Sequence, residues 1–123
     1  MVPHDADLFR YPVSAGLAVL NGFGKSAGLL QLAELGRIET PILLTNTFGV
    51  AACTTALIRG AIEQNPDIGR SRATVNPLVL ECNDGRVSDI QALAVTEAMA
   101  VEAISAARPK FAQGTVGAGT GMR

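Results

Sequence analysis

Tryptophan is missing from this 123-residue sequence, histidine occurs once and cysteine twice. Each shortage closes a class of function. A structural zinc site takes four nitrogen or sulfur ligands, and His4, Cys53 and Cys82 cannot supply them. The two cysteines lie far apart and outside any C-x-x-C pattern, so a disulfide framework is not implied. A reduced thiol pair in the cytoplasm is the expectation. Ten Lys and Arg stand against eleven Asp and Glu, with no basic stripe. That leaves no footprint for nucleic acid or for an anionic membrane surface. No apolar run approaches the roughly 20 residues that span a bilayer. The opening Met1-Val2-Pro3-His4-Asp5 lacks the basic and apolar regions of a signal peptide.

What is present is a core-forming composition. Hydrophobic residues make up 48% and charged residues 17%, which excludes a disordered tail. Aromatics are only 4%, and Gly and Ala are plentiful, so small side chains must fill the interior. The apolar run Gly16-Leu17-Ala18-Val19-Leu20 predicts a buried strand, closed by an Asn21-Gly22 turn. Leu29 to Leu35 predicts a second strand, ended by Gly36. Ile42-Leu43-Leu44 predicts a third. Thr45-Asn46-Thr47 can cap a helix over about 48–64, with Val50, Cys53, Ala56, Leu57 and Ala61 on one face. Asn65-Pro66-Asp67 stops it. Leu78-Val79-Leu80 predicts the fourth strand, followed by an Asn83-Asp84-Gly85 turn. A helix is expected from Asp89 to about Ala107, with Glu97 as the one charge inside its apolar stripe. Without strict β-α-β alternation, the pattern favours an α+β or layered sandwich over a doubly wound sheet.

Few motifs carry chemistry by themselves. Gly22-Phe23-Gly24-Lys25-Ser26 invites comparison with a phosphate loop, but the pattern needs glycine where Val19 stands, and a following helix where a strand is expected. Gly117-Ala118-Gly119-Thr120-Gly121 lacks dinucleotide-site spacing. Cys53 and Cys82 have no base within reach except His4, and Ser14, Ser26, Ser71, Ser88 and Ser105 have no nucleophile-elbow context. Glu81 is the informative residue. It directly follows three apolar strand residues, and a carboxylate drawn out of water must find a positive or donor partner. Two readings stay open: a structural salt bridge to Arg37, Arg59 or Arg86, or a bound ammonium.

Four strings, taken in order, decide more than each alone. They are Leu20 through Gly28 (LNGFGKSAG), Glu39 through Thr47 (ETPILLTNT), Val79 through Gly85 (VLECNDG) with Asp89-Ile90, and Gly117 through Met122 (GAGTGM). Together they resemble the DmpA-type L-aminopeptidase/D-esterase family, with its β-peptidyl aminopeptidases and nylon-oligomer hydrolases. The resemblance implies a portion of an αββα layered sandwich, shared with ornithine acetyltransferases. It implies a self-cleaving hydrolase whose new N-terminal Ser or Thr acts as nucleophile and base. The substrate class it implies is short peptides, amino-acid amides or esters with a free amine, and it implies no cofactor. On this resemblance residues 1–123 are a single partial domain, truncated at both ends relative to the family. The nucleophile lies in the remaining part of the enzyme, so no catalytic residue is carried over, and a homo-oligomer is expected. Glu81 matches a glutamate that anchors the substrate amine. Arg86 stands where relatives often carry an aromatic residue, and Asn46 belongs to a recurring Thr-Asn-Thr. A truncated member acting in binding or assembly is the alternative, and acyl transfer on the same fold is a third reading.

Overall fold

The computed structural model describes residues 1–116. The string 117–122 used above lies outside them. The centre of the chain is a β-α-β unit. Strand β3 (Ile42–Asn46) leads through a one-turn 3-10 segment (Thr47–Gly49) into helix α2 (Val50–Gln64), and the chain returns as β4 (Leu78–Cys82). The two strands pair in parallel, from Ile42 beside Leu78 to Asn46 beside Cys82. Parallel pairing demands such a crossover, because a tight turn cannot reverse the chain twice. Helix α2 forms where expected: Cys53, Ala56 and Leu57 are its buried face. Its end is also as expected, with the Asn65 N–H on the Ala61 carbonyl before Pro66 removes the next donor.

Residues alternate between the two faces of this sheet. Leu43 and Val79 point into a core with Cys53, Ala56, Leu57 and Ala100, the last from helix α3 (Glu97–Ser105). Ile42 and Leu78 point the other way, into a second cluster with Leu32 and Ile38. Leu32 belongs to helix α1 (Leu29–Leu35), and Ile38 to β2 (Arg37–Ile38), which pairs antiparallel with β1 (Val13–Ser14). Residue Ala27 extends the sheet on the far edge of β4 through two backbone bonds with Val79. The mixed α+β class is as the sequence implied.

Three expected elements differ. Leu29–Leu35 is a helix, not a strand. Its Leu, Gln, Ala and Glu are strong helix formers, and Gly36 closes it in the left-handed region with its N–H on the Leu32 carbonyl. The apolar run at 16–20 is irregular, with Leu20 97% exposed. The helix expected from Asp89 begins only at Glu97. A 3-10 turn at Ile90–Ala92 stops at Leu93, which adopts a positive φ of 51°, and Thr96 then caps the helix by accepting from the Met99 N–H. Glu97 leaves the apolar stripe to pair with Arg59 at 2.9 Å.

Candidate functional site

The carboxyl ends of β3 and β4 lie side by side, and three loops meet there. One is the turn after β3, one is the turn after β4, and one is the 21–25 loop that leads to Ala27. Glu81 sits among them, beside Thr45 in the strand register. Its Oε2 accepts from the Thr47 hydroxyl at 2.6 Å and its Oε1 from the Lys25 backbone N–H at 2.9 Å. Among the described residues no cation pairs with it. The salt-bridge reading therefore fails: Arg37 pairs with Glu39 and Arg59 with Glu97.

Both donors are held in place by local structure. The Asn46 side-chain oxygen accepts from the Gly49 N–H at 2.8 Å, fixing the turn that carries Thr47. A β-carbon at Gly49 would lie 2.2 Å from the Thr45 hydroxyl and 3.1 Å from Val95, so any larger residue there would force these side chains to move. In the other loop, Asn21 Oδ1 accepts from the Phe23 N–H at 3.1 Å. The Lys25 ammonium donates to the Phe23 carbonyl at 2.8 Å and lies 3.7 Å from the centre of the Phe23 ring. Gly24 brings the loop tip against Glu81, with its β-position 3.6 Å from Oε1. The glycine-rich string thus holds a carboxylate instead of a phosphate. A helix does follow it, contrary to expectation, but starts after Gly28 and lacks a side-chain cap.

Asp84 adds a second carboxylate. It is 7% exposed, and among the described residues its Oδ1 has no partner. Burial, Asp84 and Glu81 together push the Cys82 thiol up. Of the expected site residues, Glu81 and Asn46 come together through Thr47. Arg86 stands exposed in the turn after β4. Sequence reading missed Thr47, Lys25 and Asp84 as members of this cluster, although all three stand within the strings that carry the resemblance. A cavity of about 540 Å³ lies elsewhere, between the N-terminal segment, α2 and α3, and none of these groups lines it. Among the described residues no cluster of metal-ligating side chains occurs. None of the described helices is long and apolar enough to cross a membrane.

The sequence profile of Peptidase family S58 matches residues 1–123. The chain belongs to this family. Among its relatives is β-peptidyl aminopeptidase BapA of Sphingosinicella microcystinivorans, 34% identical over 115 residues, which are 93% of this chain and 28% of that protein. The PH0078 protein of Pyrococcus horikoshii OT3 superposes with a TM-score of 0.93 at 48% identity, over 99% of this chain and 35% of that one. The L-aminopeptidase D-Ala-esterase/amidase of Ochrobactrum anthropi, described as a variant of the Ntn hydrolase fold, gives a TM-score of 0.80 at 30% identity, over 91% and 32% of the two chains. The chain therefore spans about a third or less of the length of these relatives, and it shares the fold of the two solved structures.

Proposed function

We propose that this segment supplies the amine-recognition wall of an aminopeptidase-type amide hydrolase. Its substrates are short peptides, amino-acid amides or esters with a free amine, and the nucleophile belongs to a part of the enzyme outside these residues. One observation carries the reading: Glu81 is held by two neutral donors and has no cation among the described residues. Each carboxylate oxygen keeps acceptor capacity. A substrate ammonium supplies the missing positive charge and makes a charge-assisted bond, roughly twice as strong as a neutral one. Asn46 acts indirectly, by fixing the turn that carries Thr47. Arg86, exposed in the turn after β4, is assigned in this reading to the substrate's side chain. The family membership, and the names its relatives bear, support the reading.

The test is kcat/KM for the free-amine and N-acetylated forms of one amide, in the full-length enzyme and its Glu81→Gln variant. Gln keeps the shape and removes the charge. The free-amine substrate should lose on the order of 2–4 kcal/mol of transition-state binding. The acetylated one should lose much less. Equal losses on both would make Glu81 a structural residue.

A further inference from the structure

Aromatic residues are scarce in this chain, with four Phe and one Tyr. Two of the four phenylalanines stand beside the donors that hold Glu81. Phe48 directly follows Thr47, whose hydroxyl binds Oε2. Phe23 lies two residues before Lys25, whose N–H binds Oε1. Strand β4 has β3 along one edge and Ala27 along the other, so the two donors reach Glu81 from opposite edges. Both rings are turned outward, Phe48 being 52% and Phe23 78% exposed.

Neither exposure is that of a loose loop. The turn bearing Phe48 is closed by Asn46 and packed through Gly49 against Thr45 and Val95. The loop bearing Phe23 is closed by Asn21 and by the Lys25 ammonium on its carbonyl and ring. An outward apolar group carried on a turn closed in this way, next to a carboxylate that lacks a cation among the described residues, is complementary to a ligand that carries an amine and an apolar group together. We propose that Phe23 and Phe48 form an apolar wall on both sides of Glu81 and read the side chain next to the ligand's amine. The inference rests on the amine-anchor reading of Glu81 and names the substrate class: amines bearing a large apolar substituent.

The experiment is calorimetric binding of a series of straight-chain primary amines, from ethylamine to hexylamine, to the full-length enzyme. Affinity should rise roughly fourfold per methylene that the wall buries. Phe48→Ala and Phe23→Ala should each flatten that rise, and Phe48→Leu should keep most of it. Glu81→Gln should weaken every amine by one common factor and leave the rise intact. A flat series in the unmodified enzyme, no amine binding at all, or a rise unchanged in both alanine variants would overturn the proposal. So would a loss in the alanine variants that is equal for short and long amines, since that marks a folding role. A rise that depends on the two phenylalanines while Glu81→Gln changes nothing would uphold the wall and overturn the anchor instead.

Discussion

Two glutamates mark the two ends of the same pair of strands. Glu39 stands just before β3, at the amino end. It is 7% exposed, bonded to the Arg37 guanidinium at 3.2 Å and to the Asn76 N–H at 3.1 Å. The charges around it are matched likewise: Asp7 lies against Arg10, and Asp67 against Arg10 and Arg72. Glu81, at the carboxyl end, is more exposed and receives only neutral donors. Asp84, three residues on, is in no ion pair among the described residues, whereas Asp67 at the amino end, which also has an oxygen without a hydrogen bond, faces Arg10 and Arg72. Burial alone would single out Glu39 as the unusual carboxylate. The missing counter-charge singles out Glu81 instead, because a carboxylate whose charge is already matched by Arg37 gains less from a cationic ligand than one held by neutral donors alone.

This contrast breaks most severely at Gly28. The carboxyl-end cluster exists only while the 21–27 segment stays on the edge of β4. Gly28 holds it there with φ of 85°, its β-position 2.2 Å from the Pro77 carbonyl oxygen. That neighbour is backbone and cannot swing aside. Gly28→Ala should cost about 3 kcal/mol or more, combining left-handed strain with the clash. Denaturant unfolding of the full-length enzyme measures it, and a loss below about 1 kcal/mol would mean that the segment is not anchored this way.

Exchanging the two glutamates for glutamine comes next in size. Glu39→Gln leaves Arg37 without its carboxylate and weakens the bond to Asn76, costing about 2 kcal/mol of stability. The preference for free-amine over acetylated substrates should not move. Glu81→Gln should do the reverse, with a stability change of about 0.5–1 kcal/mol and a collapsed amine preference. If Glu39→Gln changed the preference and Glu81→Gln only the stability, the two ends would have exchanged roles.

The amino end was less legible in the sequence than the carboxyl end. Strands β3 and β4 and helix α2 announce themselves, because apolar runs meet explicit stops at Asn65-Pro66 and Asn83-Asp84-Gly85. Glu81 could be singled out because it directly follows an apolar strand. Its partners could not, because Lys25 contributes a backbone N–H, which no side-chain pattern encodes, across 56 positions of sequence. Leu29–Leu35 misled because Leu30, Leu32 and Ala33 come close to alternation, while only Leu32 is fully buried. A half-used apolar face obeys neither period well. The late start of α3 turned on Leu93, where a bulky residue takes a left-handed conformation, a choice that tertiary packing makes and local propensity does not.

The thiols sharpen the contrast at about 1 kcal/mol. Burial pushes Cys53 up against a smaller opposing bond from Thr45, whereas Cys82 is pushed up by burial and also by Asp84 and Glu81. A thiol whose folded pKa is raised keeps its proton after the unfolded chain has lost one. Its contribution is therefore intact below its ordinary value of 9.0 and falls as pH climbs past it. Cys53→Ala should reduce the alkaline slope of stability by up to about 1.4 kcal/mol per pH unit. Asp84→Asn should bring the Cys82 thiol down, seen as an alkylation profile shifted to lower pH. An unshifted profile would show that the Asp84 charge does not reach the carboxyl-end cluster.

The smallest effect belongs to Arg59 and Glu97, paired at 2.9 Å between α2 and α3 with both side chains largely in water. Water and salt screen such a pair, and ordering two long side chains offsets much of the attraction, so exposed pairs contribute about 0.2–1 kcal/mol. Both residues also line the 540 Å³ cavity, so the pair tests whether that cavity does more than separate the N-terminal segment from the helices. If the amino end is only scaffold, Arg59→Met should cost no more than about 0.5 kcal/mol of stability. That loss should shrink in high salt, and kcat/KM should stay as it was for free-amine and acetylated substrates alike. Arg59→Met keeps most of the side-chain stem that covers the helix surface, so a change in activity could not be assigned to lost packing. A fall in kcat/KM larger than the fall in stability would place a ligand or a moving part in the cavity. Matched charges would then no longer separate a scaffold end of the strands from the end proposed to bind the amine.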